Sequence, residues 1–542
     1  MSELRDRLER QERDRLNKRL QGLSVDGASF YSEVNSDPRD RCLRNTRTEL
    51  LEDIMSWARC ENDKEVFLLK GVAGTGKSAI ARTVATNLDR EQFLVGSFFF
   101  ARGQGNRGHG KFFVTSIASQ LADQNRHALK YMCDTLQNEP GIATRSLSVQ
   151  WQRLICEPLG QAEEELHPLV FVIDALDECE QSDIEKIIHL LAGTKFEKWR
   201  TKPKIFITSR PEATILDSFA KTDRALFFDL ELHQIPDEII KRDIRTFVEH
   251  YTHRIRDTPK ISGEWPTEDQ ISTLVQRADR LFIYAATVCR YLEDAKLPNR
   301  ALEKILEHGG SSSAKLDKIY MQILLDNFHI SEDDDLAWEL DYFKQIVGSL
   351  VVLLLPLSSV GLTQLLGLSL DDVTGILRPL YSVLEIPDNK RLPVKVFHQS
   401  FRDFLLGTSQ TPVRNEGGFS AGQFHIDAQA THGDLAQKCI ETMRMGLRRN
   451  ICNLRSYGTL SSEVKDKVNG SIPEELRYAC RYWVYHLQKA STILSFEGSI
   501  HTLLQTCFLH WLEAMSLMGV LSETLEMMVT LKESIQVSAS TI

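Results

Sequence analysis

The stretch Val66-Phe-Leu-Leu-Lys70-Gly71-Val72-Ala73-Gly74-Thr75-Gly76-Lys77-Ser78 decides how this chain folds. A short β-rich apolar run leads into G-x-x-x-x-G-K-[ST], and a helical pattern follows over Ser78 to Leu88. Average residue usage predicts roughly 0.02 chance matches to that motif in a chain of this length. Glycines let the backbone wrap closely around phosphate groups, and successive N–H groups at a helix N-terminus form an anion nest. The reading makes Gly71 to Ser78 a phosphate-binding loop, with Lys77 reaching the β- and γ-phosphates and the Ser78 hydroxyl ligating Mg²⁺.

Two further strand ends extend this site. Leu169-Val-Phe-Val-Ile-Asp174 is an apolar strand ending in a carboxylate, which puts Asp174 at the carboxyl edge of a sheet, suited to a magnesium shell. Asp177 and Glu178 follow three and four positions later, and either could orient an attacking water. Ile205-Phe-Ile-Thr-Ser-Arg210-Pro211 carries an arginine just after a strand, where a cation would distinguish a triphosphate from a diphosphate.

Outward from these motifs, strand candidates alternate with helical stretches. The strands are Val66 to Lys70, Phe93 to Phe100, Leu169 to Ile173, Lys204 to Thr208 and Ala225 to Leu230. Helices are expected at Ser78 to Leu88, Lys111 to Asp123 and Asp183 to Leu191. This alternation predicts an α/β P-loop NTPase fold, a parallel sheet with helices on both faces. Beyond Leu232 the periodicity is helical, over Asp237 to His250, Asp269 to Leu292 and Asp317 to Leu325. Residues 341–407 then read as a winged-helix module: an apolar helix, a Pro-Leu-Ser turn, Leu362 to Leu366, Asp371 to Leu384, a hairpin over Glu385 to Phe397, and Ser400 to Leu406. The expected domains are a charged leader at 1–24, the NTPase at 25–231, a helical domain at 232–340 with a Gly/Ser joint at 308–314, the winged helix at 341–407, a linker at 408–423 and an all-α domain at 424–542. A length of 542 residues, at roughly 150 per domain, accommodates this count.

Composition excludes several function classes. With 26% charged and 42% hydrophobic residues the chain is neither collagenous nor wholly disordered. A net charge of -10 gives no global positive field for nucleic acid or an anionic membrane. The ten cysteines have no C-x-x-C spacing and read as buried reduced thiols of an intracellular, cytoplasmic protein. Gln345 to Leu370 is free of charge, yet Pro356 and three glycines interrupt it, so two short buried helices are expected rather than a membrane span. His425 and His432, seven apart on an expected helix, have no obvious third ligand and read as ordinary histidines. Tyr482, Trp483, Tyr485 and His486 read as a helix-packing cluster.

With these motifs in hand, the chain resembles NACHT-type members of the STAND class of P-loop switch NTPases. The spacing Asp174-Ala-Leu-Asp177-Glu178 is similar to NACHT modules rather than motor-type ATPases. Phe98-Phe-Phe-Ala-Arg102-Gly, Thr208-Ser-Arg-Pro-Glu212, Leu281-Phe-Ile-Tyr-Ala-Ala286 and Phe397-His398-Gln-Ser-Phe-Arg-Asp-Phe404 resemble the fungal heterokaryon-incompatibility and nephrocystin-3-like group. That resemblance implies ATP/ADP and Mg²⁺ as cofactors, and a winged helix closing over the nucleotide with His398 at the β-phosphate of ADP. It also implies an oligomer in the ATP state and an effector or sensor partner whose identity the sequence leaves open. Two departures stand out. No Gly-x-Pro turn occurs around Arg280 to Tyr284, and Cys42-Leu-Arg-Asn-Thr-Arg47 fits the adenine-side motif only loosely. The chain also reads as lacking the usual effector domain and C-terminal WD or ankyrin repeats.

Three functions compete on this reading. The first is a slow nucleotide-dependent switch of the NOD-like receptor type, in innate immunity or fungal non-self recognition. The second is a motor-type turnover ATPase or kinase. The third is a winged-helix DNA-binding regulator, which the 6 basic against 5 acidic residues between Lys344 and Gly407 make a weak phosphate binder. The switch is preferred, with no nucleic-acid partner.

Overall fold

The computed structural model describes residues 24–25, 27–31, 40–60, 64–102, 105–139, 141–161, 168–193, 202–223, 226–256, 265–307, 315–328, 337–407, 423–454, 465–490 and 497–540. The expected leader helix, the Gly/Ser joint at 308–314 and nearly all of the 408–423 linker lie outside the described residues. The chain divides into two compact units between Ala286 and Thr287.

The first unit is built on a five-stranded parallel sheet of β1 (Val66–Lys70), β2 (Leu94–Phe99), β3 (Val170–Asp174), β4 (Lys204–Ser209) and β5 (Phe227–Glu231), in the order β2-β3-β4-β1-β5. Side chains alternate faces along a strand, so a strand buried on both sides reads as a continuous apolar run. Phe67, Leu69, Val170, Val172 and Phe206 face one core, with Ile54 of the helix Thr48–Arg59 and Ile80 and Val84 of the helix Lys77–Arg90. Val66, Leu68, Phe171, Ile173, Ile205 and Ile207 face the other, with Ile117, Trp151 and Ile187. Each such side chain stabilises the fold by roughly 1.5–3 kcal/mol.

The strand order matters for the site. β4 lies between β1 and β3, so the chain leaving β4 emerges between the phosphate-loop motif and Asp174. Gly71 N–H donates to the Ser209 carbonyl at 3.2 Å, extending the β1–β4 pairing into the loop.

The expected helix over Asp269 to Leu292 is two helices, Glu268–Ala278 and Phe282–Asp294. They break where Asp279 and Arg280 adopt left-handed φ values of 44° and 70°. The break turns the Arg280 guanidinium back to donate to the carbonyls of His233 at 2.9 Å and Ile235 at 2.7 Å. Tertiary hydrogen bonding overrides the helical periodicity there. No disulfide joins the cysteines, and eight are buried; Cys42 is half-buried, and Cys60, expected to be buried, is exposed where it caps the end of the helix Thr48–Arg59.

In the second unit the helices Ala337–Val352, Ser359–Leu366 and Leu370–Leu377 precede a hairpin of β6 (Leu384–Glu385) and β7 (Lys395–Val396), followed by the helix Gln399–Leu405. The helix expected to reach Leu384 stops at Leu377, because Pro379 offers no N–H and the chain tightens into a 3₁₀ turn over Arg378–Leu380. The charge-free stretch 345–370 runs through two helices with a turn between them. Glu474 secures that turn, accepting from Ser358 N–H at 2.8 Å and Ser358 Oγ–H at 2.6 Å, while Ser358 Oγ caps the next helix. Among the described residues no helix is long and apolar enough to cross a membrane.

The C-terminal helices are Ala428–Gly446, Lys465–Ser471, Glu474–Lys489, Glu497–Leu517 and Glu523–Ser540. Trp483 packs edge-on against Trp511 at 5.8 Å, as a helix-packing cluster should. His425 precedes the first of these helices, whose cap is Asp427, so it does not share a helical face with His432. Instead His432 Nδ1 lies 2.7 Å from His486 Nδ1, and His486 Nε2 lies 2.7 Å from the Tyr478 hydroxyl, which accepts from Leu354 N–H. Tyr478, His486 and His432 thus form one buried hydrogen-bonded chain that links two of these helices.

Burial pushes His432 down to about 4, with Arg402 and Lys489 acting in the same direction. A histidine depressed from 6.5 binds its proton more readily when unfolded, so its stabilising contribution is present above pH 6.5 and is lost as pH falls toward 4. The expected loss is up to about 1.4 kcal/mol per pH unit across that window. Denaturant midpoints of wild type and His432→Gln measured from pH 7 to 4.5 check this, and parallel pH slopes would refute it.

Candidate functional site

The phosphate-loop motif turns from β1 into the helix Lys77–Arg90 through two left-handed glycines, Gly74 with φ 79° and Gly76 with φ 91°. At Gly74 a side chain is excluded twice over, since a Cβ would also lie 2.2 Å from Ile283 Cγ2. Ile283 N–H donates to the Gly74 carbonyl at 3.1 Å, so the Leu281–Ile283 turn braces the loop although the Gly-x-Pro sequence is absent. Lys77 Nζ donates to the carbonyls of Gly71 at 2.7 Å and Val72 at 3.0 Å. Burial lowers the Lys77 ammonium below the usual lysine range; Arg210 adds to this, while Asp177, Asp174 and Glu178 oppose it. All five charged groups thus gather at one sheet edge.

Asp174, at the end of β3, is buried and accepts from Thr208 Oγ–H at 2.5 Å through Oδ1. Thr208 Oγ1 in turn accepts from Ala175 N–H at 3.0 Å, fixing the carboxylate against β4. Ala175 is left-handed at φ 53° and starts a 3₁₀ turn, Leu176–Glu178, that separates the two acidic residues in direction. Asp177 faces β4: its Oδ2 pairs with Arg210 Nε at 3.1 Å and its Oδ1 accepts from Arg210 N–H at 3.0 Å. Glu178 faces the end of β2, accepting from Arg102 N–H at 3.1 Å. Burial and the neighbouring Asp177 push Glu178 up to about 7. The two carboxylates that look equivalent in the sequence therefore differ: Asp177 is paired with Arg210, while Glu178 accepts a backbone N–H and is raised toward neutrality.

Beside the loop lies a cavity of about 130 Å³, lined by Arg47, Gly71, Thr75, Leu232 and Arg280 among others. Arg47, only 4% exposed, is held by four features: a left-handed backbone at φ 56°, Asp243 Oδ2 accepting its N–H at 2.9 Å, Nη2 donating to the Thr75 carbonyl at 2.9 Å, and the Phe282 ring 4.6 Å from the guanidinium. Its Nη1 is buried with no hydrogen-bond partner among the described residues. A concave apolar wall with one spare buried donor fits a planar heteroaromatic base. The carbonyl-bound Lys77, the Ser78–Asp174 oxygen donors and the glycine-shaped loop likewise fit a phosphate chain and a hard divalent cation.

His398 belongs to the second unit. It caps the helix Gln399–Leu405, with Nδ1 accepting from Ser400 N–H at 3.1 Å. Ser400 Oγ also lies 2.7 Å from Nδ1 and 2.7 Å from the Tyr320 hydroxyl. Because Nδ1 is an acceptor, the neutral imidazole carries its proton on Nε2.

Sequence reasoning missed Arg47 and Thr208 as site residues and did not assign Arg102 a role. Arg102 and Thr208 stand inside motifs that signal the strand ends. Asp243, Arg47's partner, sits 196 positions away in sequence and carries no local signal.

Residues 45–210 match the family described as nephrocystin 3, N-terminal. The vegetative incompatibility protein HET-E-1 of Podospora anserina is 28% identical over 370 residues, covering 65% of this chain and 26% of that protein. The chain thus spans about a quarter of the length of that curated relative. Among solved structures, a Signal Transduction ATPase with Numerous Domains carrying a tetratricopeptide repeat sensor, from Pyrococcus horikoshii, aligns over 91% of this chain and 63% of its own, with TM-score 0.41 and 12% identity.

Proposed function

We propose, from the premise that the P-loop unit of this chain is a NACHT/STAND-type NTPase module, that the protein is a nucleotide-controlled signalling switch that binds ATP and ADP. The observation that supports this best is the convergence of Lys77, Asp174, Asp177, Glu178 and Arg210 at one edge of three adjacent strands. On this reading residues 71–78 cradle the phosphates, and Arg47 donates to the base. Ser78 and Asp174 would hold Mg²⁺, which supplies charge neutralisation to the phosphate oxygens. Glu178 accepts a proton from the attacking water, and Asp177 aims Arg210 at the terminal phosphate.

The finer parts of the proposal rest on resemblance. The domain division at 231, 340 and 407 separates an NTPase, a helical segment, a winged helix and a terminal helical domain. His398, presenting Nε2–H, contacts ADP in the closed state, and ATP releases the winged helix so that copies oligomerise. Moving such an equilibrium from 1:99 to 99:1 requires about 5.5 kcal/mol of differential affinity. The 28% identity to a vegetative incompatibility protein supports a cytoplasmic role in non-self recognition, with an effector or sensor supplied by a partner.

Identifying the nucleotide released from the purified, heat-denatured protein tests the reading, with ADP as the expected result. Absence of nucleotide, together with no ATP binding when ATP is added, would overturn it. His398→Ala should move the ADP-bound protein toward a larger species in size-exclusion chromatography; a profile identical to wild type removes the lid role.

A further inference from the structure

The acidic turn after β3 is tied from outside by a residue that none of its neighbours in sequence would suggest. β2 continues beyond Phe99, with Phe100 N–H donating to the Asp174 carbonyl at 3.0 Å, and this extension carries Arg102 over the Leu176–Glu178 turn. There Arg102 makes two contacts of different kinds. Its Nη2 donates to the Asp177 carbonyl at 2.6 Å, and its backbone N–H donates to Glu178 Oε2 at 3.1 Å. A third tie follows where Glu180 N–H donates to the Gly108 carbonyl at 2.8 Å.

These ties determine where the two carboxylates point. Ala175 leaves β3 in a left-handed conformation, and the turn closes with Glu178 N–H donating to the Ala175 carbonyl at 2.8 Å. Cys179 N–H adds a second backbone bond to the Leu176 carbonyl at 3.1 Å, but neither bond fixes the direction of the two side chains. The guanidinium pulls the Asp177 carbonyl toward β2, which leaves the Asp177 carboxylate on the opposite side, toward Arg210. The backbone N–H occupies one oxygen of Glu178 and so presents the other in a defined direction.

We propose that Arg102 is a positioning residue for hydrolysis: its side chain anchors the acidic turn through the Asp177 carbonyl so that Glu178 is held for water activation. This deepens the function proposed above and rests on the reading of Glu178 as the proton acceptor. Arg102 acts through the turn and not on the nucleotide, so its loss separates hydrolysis from binding.

The experiment uses the full chain and measures ATP affinity and single-turnover ATP hydrolysis in Arg102→Ala, Arg102→Lys, Glu178→Gln and the Arg102→Ala/Glu178→Gln double variant. Arg102→Ala should slow hydrolysis on the order of 10-fold to 100-fold, as misplacement by about an ångström does, while ATP affinity changes by less than about twofold. Arg102→Lys should recover most of the rate, because an ammonium can still donate to the Asp177 carbonyl. The double variant should be no slower than Glu178→Gln alone. A wild-type hydrolysis rate in Arg102→Ala, with Glu178→Gln inactive, overturns the Arg102 proposal alone. So does a double variant slowed again by the full single-variant factor. A wild-type rate in Glu178→Gln overturns the reading of Glu178 and the Arg102 proposal with it.

Discussion

Lys77→Ala abolishes nucleotide retention: protein purified under conditions in which wild type carries ADP should release none, and ATP affinity should fall by at least about 100-fold. Lys77 Nζ donates to the Gly71 and Val72 carbonyls, inside the loop proposed to cradle the phosphates. A charge-assisted hydrogen bond contributes roughly 1.5–3 kcal/mol. The alanine variant also leaves Asp174, Asp177 and Glu178 facing the phosphates with less compensating charge, which raises the cost further. Lys77→Arg should fail as well, since a planar guanidinium is too wide for a position filled by a compact ammonium. Isothermal titration with ATP measures the outcome, and unchanged affinity in either variant would remove this loop as the nucleotide site.

Glu178→Gln should lower single-turnover hydrolysis by on the order of 100-fold or more while ATP still binds, the size of effect general-base catalysis supplies. Burial and Asp177 raise Glu178 to about 7, so the wild-type rate should climb as pH rises through neutrality, where the carboxylate loses its proton and becomes the base. In Glu178→Gln that rise should vanish. Asp177→Asn should behave differently, because Asp177 pairs with Arg210 at 3.1 Å. Its loss frees Arg210, and the defect should appear in discrimination between ATP and ADP. A pH-independent wild-type rate, or a Glu178→Gln variant as fast as wild type, would reassign the base.

Much of this architecture is legible from local pattern. The strand runs are apolar because the parallel sheet is covered on both faces, and that demand falls on each residue by itself. The phosphate loop is legible for a similar reason, since glycine adopts the φ values of 79° and 91° at Gly74 and Gly76 without steric cost. The order of three helices, a hairpin and a further helix over 337–405 also follows from caps and turns within a few residues. In two places where local pattern misleads, a distant partner is responsible. The break at Asp279 and Arg280 exists because carbonyls of residues 232–235 hold the arginine, and the His425/His432 pair dissolves because His432 bonds to His486 instead.

By itself, the sequence determined that a phosphate loop, a carboxylate-ended strand and an arginine-ended strand occur in one α/β unit, because each is written in a few contiguous residues. Only the tertiary structure decided what those residues do to one another. The order β2-β3-β4-β1-β5 inserts β4 between the loop and Asp174, and so delivers Arg210 to Asp177 across 33 positions and Arg102 to the same turn across 75. It thereby gives two adjacent acidic residues different partners, Arg210 for Asp177 and the Arg102 backbone N–H for Glu178. Hydrogen-bond direction and desolvation depend on neighbours brought together through space, and no spacing along the chain encodes them.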